Sequence, residues 1–168
     1  MTSPSIQQPP FEAHLLHLKG RVGQTLLPKE LSHERGLLHQ QQLLEFLEEH
    51  LRYCADILAD PHSTADDIDH ARFEMAKAEP HLALTRITQA LHSRAGAGVM
   101  QLVHDQYQQM VVAFYEAREV ANRSDANVAD RERLANYQDA VRCLNEHFLR
   151  LPPNERPLLI PEDDLRPR

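Results

Sequence analysis

Tryptophan is absent from this chain, aromatic residues make up 5% of it, and it holds only 5 glycines and 2 cysteines. So few aromatics and turn glycines argue against a β-sandwich or barrel, whose strands want aromatic and β-branched residues. Two cysteines, Cys54 and Cys143, are too few for a disulfide scaffold, and nothing in the sequence indicates an oxidising compartment. No stretch approaches the roughly 18 apolar residues of a membrane-spanning helix. The opening Met1-Thr-Ser-Pro-Ser-Ile-Gln-Gln-Pro-Pro10 has neither the basic nor the apolar part of a secretory signal. The expectation is a cytoplasmic protein with both thiols reduced and no membrane partner.

What is present suits a helical domain. The 168 residues are 42% hydrophobic and 26% charged, enough for one domain with a true core. Against 18 Lys and Arg stand 25 Asp and Glu, a net charge of −7. Such a chain repels phosphate backbones unless it carries a local basic face. The best candidate, Arg118, Arg123, Arg131 and Arg133, is interleaved with Glu116, Glu119, Asp125, Asp130 and Glu132. No nucleic-acid partner is expected.

Residues 1–10 read as a disordered tail, 11–151 as a helical bundle domain, and 152–168 as a Pro-rich acidic C-terminal tail. After a short apolar segment, Phe11 to Leu18, the first long helix runs from Lys29 to Ala59, with Ser32 as N-cap and Asp60-Pro61 as stop. Its apolar stripe (Leu37, Leu44, Leu47, Leu51, Cys54, Leu58) is widened by Leu43, Phe46, Tyr53 and Ile57. Ser63-Thr-Ala-Asp66 and Thr64-Ala-Asp-Asp67 both resemble capping boxes opening the next helix. There Ile68, Ala71, Met75 and Ala78 face inward, and the stripe resumes at a shifted angle with Leu84, Ile87 and Leu91. Pro80 stands between the two stretches, predicting a kink or break near Glu79. Arg94 to Gly98 forms a joint. A third helix, Gly98 to Asn122, carries Val99, Val103, Met110, Phe114, Ala117 and Ala121. The last has the cleanest heptad, Leu134, Tyr137, Val141, Leu144, Phe148 and Leu151, ended by Pro152-Pro153. The expected fold is all-α: an antiparallel helical bundle of four to five helices with irregular N- and C-terminal tails.

Two strings carry metal-ligand chemistry. His50-Leu-Arg-Tyr-Cys54 and Cys143-Leu-Asn-Glu-His147 each place a histidine and a cysteine four positions apart, on one helical face. Two such pairs on facing helices would close a tetrahedral Cys2His2 site for zinc. The competing reading makes Cys54 a core thiol with the histidines flanking the stripe. Di-iron motifs fail, because Glu30-Leu-Ser-His33 straddles a cap and Asp67-Ile-Asp-His70 has the wrong acid in a first turn. His14-Leu-Leu-His17-Leu-Lys19-Gly20 resembles the His-x-x-Lys-Gly string of histidine phosphotransfer domains but misses its spacing from either histidine. There is no Gly-x-Ser-x-Gly elbow, Walker loop or Gly-x-Gly-x-x-Gly.

No catalytic motif and no cofactor are therefore expected. Size, acidity and helicity are shared with bacterial secretion chaperones, anti-activators and adaptor subunits, a likeness of class carried by no motif. The expectation is a non-enzymatic protein–protein interaction module, an adaptor, chaperone or regulatory protein. Its wide apolar faces would be completed by a partner or, as a homodimer, by a second copy. The alternative is a bundle holding a structural metal through the Cys/His pairs. Within the tail, Pro157-Leu-Leu-Ile-Pro161 offers Leu158, Leu159 and Ile160 either as a docking motif or as a cover for the end of the bundle.

Overall fold

The computed structural model describes residues 33–93 and 98–166. The readings made for residues 1–10, for Phe11 to Leu18, for the Ser32 cap and for the joint at 94–97 lie outside them. Four long helices carry the fold: α1 (His33–Ala59), α2 (Ala65–Ser93), α3 (Val99–Ala121) and α4 (Val128–Leu149). A 3-10 turn (Pro153–Glu155) and a one-turn helix, α5 (Glu162–Leu165), follow. No strand occurs among the described residues. The protein is an all-α helical bundle.

Side-chain chemistry sets the helix ends. Of the two capping boxes open to α2, Thr64 forms the real one: its Oγ1 accepts from the Asp67 N–H at 3.1 Å, and Asp67 Oδ2 accepts from the Thr64 N–H at 3.2 Å. Ser63 serves the preceding helix instead, donating to the Ile57 carbonyl at 2.6 Å where α1 ends. Asn127 and Asp130 cap α4 in the same reciprocal way, at 2.8 and 3.0 Å.

α2 is the hub. It packs against α1, α3 and α4, and α3 and α4 pack on each other, whereas among the described residues α1 has a substantial interface with α2 alone. On one side of α2, Ala71, Ala78 and Leu82 meet Leu44, Leu47 and Cys54 of α1. On the other, Ile87 joins Val103, Tyr107, Met110 and Phe114 of α3 and Tyr137, Val141, Leu144 and Phe148 of α4 in the main core. Ala78 and Ile87 are separated by about 900° of helix at about 100° per residue, so they point in opposite directions.

Of the kink or break expected near Pro80, the break does not occur. The chain runs through Pro80 as one 29-residue helix. The shifted stripe marks a change of packing partner, not a change of element. Pro80 is fully buried, and its ring removes the N–H that the Ala76 carbonyl would accept. Asn136 of α4 donates to that carbonyl from Nδ2, at a long 3.5 Å, while also bonding the Glu132 carbonyl at 2.8 Å. A neighbouring helix thus supplies part of what proline takes away.

Candidate functional site

The first candidate is the pair on α1. His50 and Cys54 meet as their spacing requires, with Nε2 3.9 Å from Sγ. Cys54 is fully buried, and His50 is 3% exposed, stacked on Phe46 with ring centroids 6.0 Å apart. Glu74 of α2 approaches the same Nε2 at 3.6 Å. A nucleophilic triad needs the acid on one ring nitrogen and the thiol on the other, and here both face one nitrogen. Burial, reinforced by the Glu74 charge, pushes the Cys54 thiol up to about 12. It is a protonated core group at neutral pH, whereas nucleophilic attack and metal ligation both need the thiolate.

The second pair lies elsewhere. Cys143 is exposed on α4, and the His147 ring stands edge-on to His92 of α2 with centroids 6.4 Å apart. Among the described residues no group of three or more His, Cys, Asp or Glu is placed to hold a metal ion. His50, Cys54, Cys143 and His147 are therefore not brought together into the Cys2His2 cluster that their spacing suggested. Helical spacing fixes a shared face, but the meeting of two faces depends on which helices touch, and α1 packs on α2.

The C-terminal segment holds the more specific arrangement. Pro152-Pro153 stops α4, and the chain doubles back along α3 and α4. Arg156 fixes this reversal: its Nε donates to the Leu151 carbonyl at 2.8 Å and its Nη2 to that of Leu149 at 2.7 Å. Pro157, Leu158, Leu159 and Ile160 then have no regular secondary structure, so their backbone groups need partners from side chains.

At Ile160 those partners form a closed triangle. The Ile160 N–H donates to the Tyr107 hydroxyl at 3.3 Å. That hydroxyl donates to Asn145 Oδ1 at 2.9 Å. Asn145 Nδ2 returns to the Ile160 carbonyl at 3.3 Å. One tyrosine from α3 and one asparagine from α4 thereby satisfy both polar groups of a residue outside any helix while its side chain enters the core. Burial raises the Tyr107 phenol above its ordinary value, so it stays a donor.

Beyond Ile160, Leu165 is the second anchor, fully buried in the same core. Arg142 Nη2 donates to the Leu165 carbonyl at 2.6 Å, and its Nε stands 3.7 Å from Glu162. Asp164 accepts from the Tyr115 hydroxyl at 2.8 Å and pairs with Arg118 at 3.5 Å. Nearer the reversal, His104 Nε2 lies 2.8 Å from the Glu155 carbonyl oxygen.

Leu158, Leu159 and Ile160 therefore play three different parts. Ile160 is core, Leu159 packs partly buried against it, and Leu158 projects with 93% of its surface exposed. Tyr107, Arg142, Asn145 and Leu165 were not singled out from the sequence as a site. The usable signal was the gap in the α3 stripe: Tyr107 continues the helical steps between Val103 and Met110. No protein-family model, curated protein or solved structure matches this chain.

Proposed function

We propose that this protein is a non-enzymatic protein-interaction module, a small acidic helical adaptor, chaperone or regulatory protein that works by holding a segment of polypeptide. One observation carries the reading: Tyr107 and Asn145 satisfy the backbone N–H and carbonyl of Ile160, a residue outside any helix whose side chain is buried. Reading a chain through its backbone and one aliphatic anchor is how grooves recognise peptides. The protonation of Cys54 and the approach of Glu74 and Cys54 to one imidazole nitrogen give the other candidate cluster no comparable chemistry.

The test is affinity capture from the native host with the full-length chain, followed by mass spectrometry and elemental analysis of the same preparation. A partner recovered in stoichiometric amount is the expected result. Stoichiometric zinc with no protein partner would overturn the reading in favour of a metal-holding bundle.

A further inference from the structure

The seat across α3 and α4 is filled by the chain's own end, and the manner of filling specifies what else fits it. The tail places two aliphatic anchors, Ile160 and Leu165, in the core. Between them stand three acids, of which Glu162 faces Arg142 and Asp164 faces Arg118 and Tyr115. The Ile160 backbone is read by Tyr107 and Asn145, and the Leu165 carbonyl by Arg142. None of these contacts requires covalent continuity with α4. Covalent continuity passes only through the 3-10 turn after Pro152 and the Arg156 clasp.

Resting on the reading above, we propose that this seat is a recognition site for an acidic segment of another protein, irregular at its first anchor and forming one helical turn over the acids and the second anchor, as the tail does. That segment carries a branched aliphatic residue and a leucine spaced as Ile160 and Leu165 are, with Pro-Glu-Asp-Asp chemistry between them. The C-terminal tail is its built-in competitor. Charge complementarity argues for this occupant: Arg118 and Arg142 face acidic side chains on a protein whose net charge is −7. The acidic contacts add little to the hold, because Glu162 and Asp164 are 63% and 35% exposed, so release turns on withdrawing Ile160 and Leu165 from the core. A tethered tail acts at an effective concentration on the order of millimolar, so an incoming segment must exceed that or arrive when the tail is displaced.

The experiment uses a fluorescent peptide with the sequence of residues 156–166 and full-length protein. In the I160D/L165D chain the tail loses both anchors, and the peptide should bind saturably. To wild type it should bind at least about tenfold more weakly, since the tethered tail competes. Adding Asn145→Ala to the released chain should cost about tenfold in affinity, one lost hydrogen-bonding partner of a partly buried carbonyl. A peptide with Glu162, Asp163 and Asp164 replaced by lysine should not bind. If I160D/L165D loses its helical circular dichroism, Leu165→Ala takes its place, with binding between the two extremes. A folded released chain that ignores the peptide, or that takes the lysine peptide equally well, overturns the proposal. In that event a partner still captured by wild type leaves the interaction reading standing, and its absence removes that reading as well.

Discussion

The hydroxyl of Tyr107 and the side-chain amide of Asn145, 2.9 Å apart on neighbouring helices, between them bind both backbone polar groups of Ile160. Each member depends on the other two. Tyr107→Phe keeps the ring and its edge-to-face contact with Phe148, at 5.0 Å between centroids, but strands a buried N–H and Asn145 Oδ1. The expected cost is ~1–3 kcal/mol, read by urea unfolding, together with faster amide exchange at Ile160. Unchanged exchange there would show that the triangle does not hold the tail.

Removing residues 154–168 takes Ile160 and Leu165 out of the core, where they are 4% and 0% exposed. At ~1.5–3 kcal/mol for each large aliphatic side chain buried, stability should fall by at least ~2 kcal/mol. A drop below ~0.5 kcal/mol in a denaturant titration would mean that the tail contributes no packing.

Leu144 is fully buried on α4 in the cluster that contains Val141, Phe148 and Ile160. Leu144→Ala should cost ~2–5 kcal/mol through lost burial and the cavity left behind. Equilibrium unfolding of the two proteins side by side measures it.

The Cys54 thiol, ordinarily at 9.0 and raised in the fold to about 12, sets an alkaline limit. Its neutral form is the one the fold favours, so the unfolded chain loses this proton first as pH rises. The stabilisation is whole below pH 9.0 and drains away between there and about 12, at no more than ~1.4 kcal/mol per pH unit. Tyr107 and Tyr137, both raised mainly by burial, act in the same direction. Cys54→Ala should flatten the fall in stability across this window, measured by urea melts from pH 8 to 10.5. An identical slope in the variant would rule out the thiol as its source.

Asn136 and Pro80 should be energetically coupled through the Ala76 carbonyl. With proline present, Asn136→Ala takes away that carbonyl's side-chain donor. In Pro80→Ala the helix supplies its own N–H, and the same substitution should cost less. A double-mutant cycle should give a coupling on the order of 0.5–1 kcal/mol, kept small by the 3.5 Å separation. Additive effects would show that Asn136 acts only through its bond within α4.

Local patterns made most of the helices legible. The α4 heptad put Tyr137, Val141, Leu144 and Phe148 inward, and all four are buried. Asp60-Pro61 and the Thr64 box marked boundaries correctly, because caps and stops are chemistry within a few residues. The run around Pro80 misled because a stripe that changes side looks the same in one dimension as a helix that ends. The His50 and Cys54 face was readable, but the distance from it to Cys143 belongs to tertiary packing. The tail site was harder still. It is built from isolated residues on two helices and an extended strip, and no single periodicity joins Tyr107, Asn145 and Ile160.

α1 rests on α2 through two small clusters, one around Leu44, Leu47, Ala78 and Leu82 and one around Cys54 and Ala71. Among the described residues, the large core of α2, α3, α4 and the tail contains none from α1. Cooperativity follows contact, and a helix seated on one neighbour can open below the global unfolding free energy. The first long helix, packed substantially on α2, should therefore open as a unit while the larger core stays closed. Its amides should exchange with solvent through a partial opening that leaves Phe114 and Phe148 dry. When it lifts, α2 bares Ala78 and Leu82 while its opposite side stays sealed, so one helix becomes a transient apolar surface without the molecule losing its fold.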